Sequence, residues 1–235
     1  MRALEPEKKV YVCHFDILGM KSVLKRSNFE AWQTICDLAD VQDDKELPIT
    51  PAQRQLLNER FFSDTVVIST RDDTDDSLYA ILVRVLELFR VAFRRSIPLR
   101  GGVAFGSWFE LNENGRELFT GDALLRAYEL GESQQMIGIC LCDVVRQRFM
   151  ERPLFSFPSG AVVIKDYPVP LKKGVRSNRA VLNWPAICEQ ELKMLKELVP
   201  VRLAQHFYAF GKPETLPEEV MVKHENTIEF LKCVG

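Results

Sequence analysis

Residues 60–69 contain two short apolar runs joined by a two-residue turn, and this segment constrains the fold more than any other. Aromatic and β-branched residues dominate both runs, a composition that favours strands. Ser63 and Asp64 suit a tight turn, so the runs are predicted to pair as an antiparallel hairpin. The sheet therefore contains a hairpin that carries a carboxylate, Asp64, at its tip.

Strands and helices alternate around this hairpin. An apolar strand is predicted at residues 10–17, a glycine-rich strand at 99–109 and a further strand at 137–142. The apolar residues of 77–95 recur at helical spacing, with Ser77 as the predicted N-cap. This order predicts an α/β fold with the hairpin at the centre of the sheet.

The length and apolar content fit one domain with an appendage. The chain has 235 residues, of which 46% are hydrophobic, so it can bury a substantial core. Residues 151–235 are richer in proline and less regular in pattern. They are predicted to form a C-terminal extension that packs on the domain formed by residues 1–150.

The charge balance and the cysteine usage predict a cytoplasmic protein. Lys and Arg total 31 against 33 Asp and Glu, so there is no general basic field for nucleic acid. No run is long and apolar enough for a membrane span, and residues 1–9 are charged, unlike a signal peptide. Six scattered cysteines fit reduced, buried thiols. The expected partners therefore include neither nucleic acid nor a membrane.

Two aspartates stand where predicted elements end. Asp16 closes the strand at 10–17, where Gly19 turns the chain into a helix, and Asp64 lies at the hairpin tip. If the strands pair, the two carboxylates come close and repel, so the pair favours a divalent cation, with Mg²⁺ or Mn²⁺ preferred by hard oxygen ligands. Either aspartate alone is more often a solvated cap or turn residue. Their combination is the informative feature.

These motifs, with the glycine-rich strand that follows them, resemble the class III nucleotide cyclase catalytic domain. The resemblance covers residues 10–150, and no family motif matches residues 151–235. It implies a ferredoxin-like core with a mostly antiparallel sheet flanked by helices. It also implies a homodimer with interfacial active sites, each holding two divalent ions, Mn²⁺ or Mg²⁺. The matching segments are Asp16-Ile17-Leu18-Gly19, Ser63-Asp64, the glycine-rich run from Arg100 to Gly106, and Gly121-Asp122-Ala123.

The resemblance also assigns roles to the matching residues. The ribose 3′-oxygen of a nucleoside triphosphate would attack the α-phosphorus, and pyrophosphate would leave. Carboxylates and one carbonyl would bind the metal ions, while backbone amides and a guanidinium would bind the triphosphate. The residues concerned are Asp16, Asp64 and the Ile17 carbonyl for the metal, and Leu18, Gly19 and Arg100 for the triphosphate.

Several positions depart from the purine-cyclase pattern. Leu125 and Glu129 replace the Asn and Arg that steady the ribose and the transition state, and Arg126 is the nearest substitute. Leu118 replaces the base-reading Asp, while Arg60 stands at the position of the base-reading Lys. A guanidinium only donates hydrogen bonds, so it suits the carbonyl oxygens of uracil. Arg60 is therefore predicted to read a pyrimidine base.

The helix start at residues 121–128 resembles that of the Pycsar antiphage cyclases, which use UTP or CTP. The expectation is a uridylate cyclase that makes 3′,5′-cyclic UMP for a separate cyclic-nucleotide effector in antiphage defence. A cytidylate cyclase making cyclic CMP, and a purine cyclase, stay open as alternatives. So does a catalytically dead binding module, which the loss of the family's Asn and Arg favours and the intact Asp16 and Asp64 oppose.

Overall fold

The structure is a computed structural model that describes residues 7–39, 47, 49–113, 116–157, 159–195, 197–207 and 216–234. Residues 1–6, part of the charged segment that argues against a signal peptide, lie outside the described residues. The strands are β1 (Lys8–Ile17), β2 (Leu57–Phe62), β3 (Thr65–Thr70), β4 (Leu99–Glu113), β5 (Arg116–Thr120), β6 (Gly138–Leu141), β7 (Ile164–Pro170) and β8 (Arg176–Leu182). The helices are α1 (Met20–Arg26), α2 (Asn28–Ala39), α3 (Pro51–Arg54), α4 (Asp75–Arg94), α5 (Asp122–Ser133), α6 (Asp143–Glu151), α7 (Glu189–Met194), α8 (Pro200–Phe207) and α9 (Glu218–Val234).

Within the described residues, eight strands form one sheet flanked by helices. The strand order is β2-β3-β1-β4-β6-β8-β7, and β5 pairs with β4 beside this path. The β4–β6 pairing is parallel, and the other strand pairs are antiparallel. This confirms the predicted α/β fold and its mostly antiparallel sheet. The hairpin itself is confirmed as β2–β3, but its predicted central place is wrong, because β2 forms one edge of the sheet and β1 pairs with β3.

Strand β1 is buried on both faces, which explains its continuous apolar sequence. Cys13 and Phe15 pack into the main core with residues of α4, whereas Val12 packs in a smaller cluster with residues of α5. Towards the end of the strand, the face that α5 covers becomes polar. His14 and Asp16 lie there, and both are partly exposed.

Helix α5 lies close against β4 because glycines leave room for it. A Cβ atom on Gly102 would stand 2.5 Å from the Ala127 carbonyl oxygen and 2.6 Å from the Leu130 Cβ. Real Cβ atoms do not approach backbone oxygens so closely. The glycine-rich strand in the sequence therefore has a packing reason that is independent of any ligand.

Helix α4 is capped differently from the prediction. Thr74 is its N-cap, and the Thr74 hydroxyl accepts a hydrogen bond from the Ser77 N–H at 3.3 Å. Ser77 is buried and donates its own hydroxyl proton to Asp72 at 2.5 Å, so the prediction of Ser77 as the cap is wrong. Among the helices of the described ranges, none combines the length and apolar composition of a membrane span.

The C-terminal half of the chain adds to both the sheet and the core. Strands β8 and β7 continue the sheet beyond β6. Helix α9 packs its Phe230 ring against Tyr167 of β7, with 5.0 Å between the ring centroids. Trp184, which follows β8, contacts Phe89 of α4 at 4.7 Å between centroids. Residues beyond 150 thus share one apolar core with those before it.

Candidate active site

The backbones of Asp16 and Asp64 are adjacent at the ends of two paired strands. Asp16 pairs in register with Thr65, the residue that follows Asp64. The Ile17 N–H donates to the Asp64 carbonyl oxygen at 2.7 Å. Ser63 has φ 50°, in the left-handed region, so the hairpin reverses within two residues. The structure therefore brings together the backbones of the three residues that the resemblance assigns to metal binding.

His14 lies on the same face as Asp16, two residues earlier on β1. Burial lowers the pKa of His14, Asp16 and Asp64 oppose this effect, and Arg100 adds to it. The His14 ring is therefore neutral near pH 7. The edge of Tyr128 from α5 packs against it, with 5.3 Å between ring centroids. The two carboxylates and Arg100 thus act on one partly buried imidazole under α5.

Arg100 is the direct partner of Asp16. It stands opposite Asp16 in the β1–β4 register, and its Nη2 donates to Asp16 Oδ2 at 2.9 Å. The same nitrogen donates to Glu132 of α5 at 2.5 Å, and Nη1 donates to the Gln134 carbonyl at 3.4 Å. Only 5% of the Arg100 side chain is exposed. The guanidinium that the resemblance assigns to triphosphate therefore neutralises a proposed metal ligand in this structure.

The turn after β1 supplies fewer free amides than predicted. The Leu18 N–H donates to the Pro98 carbonyl oxygen at 2.9 Å, so it is not available to a phosphate. This corrects the prediction for Leu18. Gly19 has φ 83°, a left-handed conformation that favours glycine, and it precedes α1 as its N-cap. Its carbonyl oxygen accepts from the N–H groups of Ser22 and Val23, which begins the hydrogen bonding of α1.

Arg60 lies on the same face of the sheet as Asp16, but its guanidinium is enclosed. Nε donates to Glu117, Nη2 donates to Glu110 at 2.5 Å, and Nη1 donates to Ser69 at 3.1 Å. The guanidinium carbon also stands 4.8 Å from the centroid of the Phe119 ring. All three nitrogens thus have partners. The role of Arg60 in base recognition stays a prediction, and it requires one of these partners to be displaced.

Arg126 lies on the outer face of α5. Its side chain is 54% exposed and pairs with Asp122 at 2.9 Å. Asp122 is held in turn by the Ser107 hydroxyl, which is the main reason that the pKa of Asp122 is lowered. Leu125 and Tyr128 of the same helix are also exposed. Arg126 therefore points away from Asp16 of its own chain and is accessible to a second molecule.

Comparisons with known proteins bear on the fold alone. No protein-family model and no curated protein matches the chain. The dimeric guanylyl cyclase domain of the RhoGC fusion protein from the aquatic fungus Blastocladiella emersonii is 14% identical, with a TM-score of 0.53 over 76% of this chain and 98% of that one. The adenylyl cyclase CyaB from P. aeruginosa is 11% identical, with a TM-score of 0.51 over 75% of this chain and 94% of that one. The chain has the class III nucleotide cyclase fold.

The side chains of Asp16 and Asp64, on their adjacent backbones, offer oxygen donors of the type that a hard divalent ion prefers. Asp16 is 30% exposed in its side chain, so an ion can reach it from solvent. The donors are two carboxylates and the carbonyl of Ile17, and the described residues hold no cluster of three or more His, Cys, Asp or Glu that would complete a protein cage. Mg²⁺ is commonly bound by one or two carboxylates, with water and substrate phosphates as its other ligands. The residues present therefore fit Mg²⁺ or Mn²⁺ and do not resemble a closed zinc site.

Charged residues near Asp16 also come from segments that carry no sequence motif. Glu132, at the end of α5, contacts both Arg100 and Lys172 of the β7–β8 connection. Lys223 of α9 interacts electrostatically with Arg100 and Asp16. Sequence reasoning missed all three, because nothing in their local spacing distinguishes them from solvated surface charges.

Proposed function

We propose that this protein is a nucleotide cyclase that converts UTP to 3′,5′-cyclic UMP and pyrophosphate. One observation carries the proposal: Asp16 and Asp64 stand on adjacent backbones at paired strand ends, in the fold of nucleotide cyclases. The Pycsar-like helix start at residues 121–128 supports the pyrimidine substrate and a role in cytoplasmic antiphage signalling through a separate cyclic-nucleotide effector. A cytidylate cyclase making cyclic CMP differs by one exocyclic group of the base.

The proposed reaction forms one P–O bond and breaks another. The 3′-oxygen of the ribose bonds to the α-phosphorus, the bond from that phosphorus to the β-phosphate oxygen breaks, and the hydroxyl proton passes to solvent. Two Mn²⁺ or Mg²⁺ ions would lower the pKa of the hydroxyl and neutralise the triphosphate. Asp16, Asp64 and the Ile17 carbonyl would hold them. Arg100, once Asp16 turns to a cation, would donate to the phosphates.

In this proposal Arg60 recognises the base, which requires a change in its ion pairs. Glu117, whose side chain is 43% exposed, must give up its contact so that Arg60 can donate to a base. A uracil carbonyl is an acceptor like the carboxylate that it would replace. Leu118 offers no competing polar group at the position where purine cyclases carry their base-reading Asp, and it is 57% exposed. A purine cyclase stays an alternative. These contacts favour a base that presents a hydrogen-bond acceptor, but they do not distinguish a purine from a pyrimidine by size.

The proposed active site is shared between two copies of the chain. Phe62 at the hairpin and Leu125 and Tyr128 on α5 are 46%, 56% and 45% exposed, an apolar surface that a homodimer would cover. Arg126, exposed on the same helix, would then reach the site of the partner. Leu125 and Glu129 favour the second candidate, a catalytically inactive binding module, since neither can replace the family's Asn and Arg.

The cyclase proposal is tested with purified protein, Mn²⁺ and UTP, with products identified by mass spectrometry. The wild type is expected to form cyclic UMP and an equal amount of pyrophosphate. Asp64→Asn is expected to abolish both, whereas Asp166→Asn, a change in an exposed carboxylate on β7, leaves them unchanged. Binding of UTP without any product, in a folded protein with Mn²⁺, would support the inactive binding module instead.

A further inference from the structure

The C-terminal helix α9 lies across a cleft from the turn that follows Asp16. The cleft has a volume of about 770 Å³. Leu18 and Gly19 line one side of it, and Val220 and Lys223 of α9 line another. Residues beyond 150 therefore help to form the surroundings of the proposed triphosphate site, although no cyclase motif covers them.

Lys223 is placed in this cleft at an energetic cost. It is partly buried, and among the described residues no carboxylate lies within ion-pairing distance of its ammonium group. Burial lowers the pKa of Lys223, Arg100 lowers it further, and Glu219 and Asp16 partly compensate. A half-buried ammonium without an ion pair is unfavourable unless an anion binds to it.

Lys223 is one of three cations that interact electrostatically with one another and with Asp16. Lys172 lies in the β7–β8 connection, and its pKa is lowered by burial and by its neighbours Arg100 and Lys223. Arg100 and Lys172 share Glu132, and Arg100 also pairs with Asp16. Among the described residues, Lys223 is therefore the member of the group without a paired carboxylate. If Asp16 turned to a metal ion, the positive charge around the cleft would rise further.

We propose that Lys223 binds the β- or γ-phosphate of a nucleoside triphosphate held at Asp16 and Asp64 of the same chain. This assignment rests on the proposed function, because it names a ligand-binding residue of that site. It gives the C-terminal extension a direct role: α9 supplies one wall of the cleft and one phosphate-binding cation. Lys223 would contact oxygens remote from the reacting bond, so it is a binding residue for the triphosphate.

A purely structural role for Lys223 makes a different prediction. Its aliphatic stem covers part of the cleft, and Lys223→Met keeps an unbranched apolar stem while it removes the charge. The variant is expected to melt at the wild-type temperature or above, because it relieves an unfavourable buried cation. Lys223→Arg keeps the charge, and Lys232→Met removes an exposed lysine from the same helix as a matched control.

The test is calorimetric titration of the full-length chain with inorganic tripolyphosphate in excess Mg²⁺. The wild type is expected to bind it, and Lys223→Met to bind at least about tenfold more weakly, equivalent to ~1.4 kcal/mol. Lys223→Arg should retain most of the affinity, and Lys232→Met all of it. Lys223→Gln serves as the second variant if Lys223→Met does not fold.

Two outcomes would overturn the assignment: no binding of tripolyphosphate by the wild type, or equal binding by wild type and Lys223→Met. The measurement needs no turnover, so it separates the two proposals. Binding that depends on Lys223 in a protein that makes no cyclic nucleotide would remove the cyclase and keep the phosphate site. Conversely, Lys223→Met could leave both the tripolyphosphate affinity and the KM for UTP unchanged in an active cyclase. That result would remove the phosphate site and keep the cyclase.

Discussion

Replacing Arg60 with methionine should destabilise the folded protein, because the guanidinium sits between two carboxylates and an aromatic ring. Its side chain is 6% exposed, and that of its partner Glu110 is 15% exposed. Removing one member of a buried ion pair typically costs ~3–5 kcal/mol. Glu117 is 43% exposed and contributes less, so the lower end of that range applies, about 3 kcal/mol. For a chain of this length, that loss corresponds to a fall in Tm of roughly 6–12 °C.

Urea unfolding followed by far-UV circular dichroism measures this effect. Arg152→Met is the matched control, because Arg152 is 73% exposed and pairs with an exposed carboxylate, Asp75; its midpoint should not move. Adding Glu110→Gln and Glu117→Gln to Arg60→Met should recover part of the lost stability, since the stranded carboxylates disappear. An Arg60→Met protein within about 1 kcal/mol of wild type would refute the enclosed-network account.

Three further predictions test the site and its surroundings. Asp16→Asn should abolish cyclic-nucleotide formation but unfold near the wild-type urea concentration, because the amide oxygen still accepts from Arg100; retained turnover would remove the metal site. Mixing Asp16→Asn chains with Arg126→Ala chains should restore product, and two folded, dimeric variants that fail to complement would place all active residues on one chain. His224 has a pKa lowered to about 4 by burial, so the unfolded state binds the proton first as pH falls below about 6.5. Stability should therefore drop by about 2 kcal/mol between pH 7 and 5, and His224→Phe should flatten that slope in urea titrations; an unchanged slope would contradict the cause.

Local sequence patterns predicted the elements that carry the two aspartates. The apolar run of β1 and the Ser63-Asp64 turn encode their structures within ten residues each, and both are present where expected. The adjacency of Asp16 and Asp64 follows from pairing of β1 with β3, which the resemblance supplied and no local pattern could. The hairpin was predicted correctly, but its predicted place at the centre of the sheet was wrong. An edge strand and a central strand differ in whether a further strand pairs beyond them, and no local pattern shows this.

The parts that could not be predicted depend on contacts between distant segments. Arg60 finds its partners Glu110 and Glu117 50 and 57 residues later in the chain, so its residue type alone did not reveal an ion-pair network. Thr74 and Ser77 are both good N-caps by chemistry, and only the neighbouring Asp72 decides between them. Lys223 approaches Asp16 through the packing of α9, which has no signature in residues 151–235.

The most direct test of the central claim is the product formed from an equimolar mixture of ATP, GTP, CTP and UTP with Mn²⁺ and the purified full-length protein. Liquid chromatography with mass spectrometry separates the 3′,5′-cyclic monophosphates from linear products. The expected main product is cyclic UMP and the second is cyclic CMP, with pyrophosphate in an amount equal to their sum. Linear mono- or diphosphates in place of cyclic products, or no product from a folded dimer, would contradict the assignment as a nucleotide cyclase.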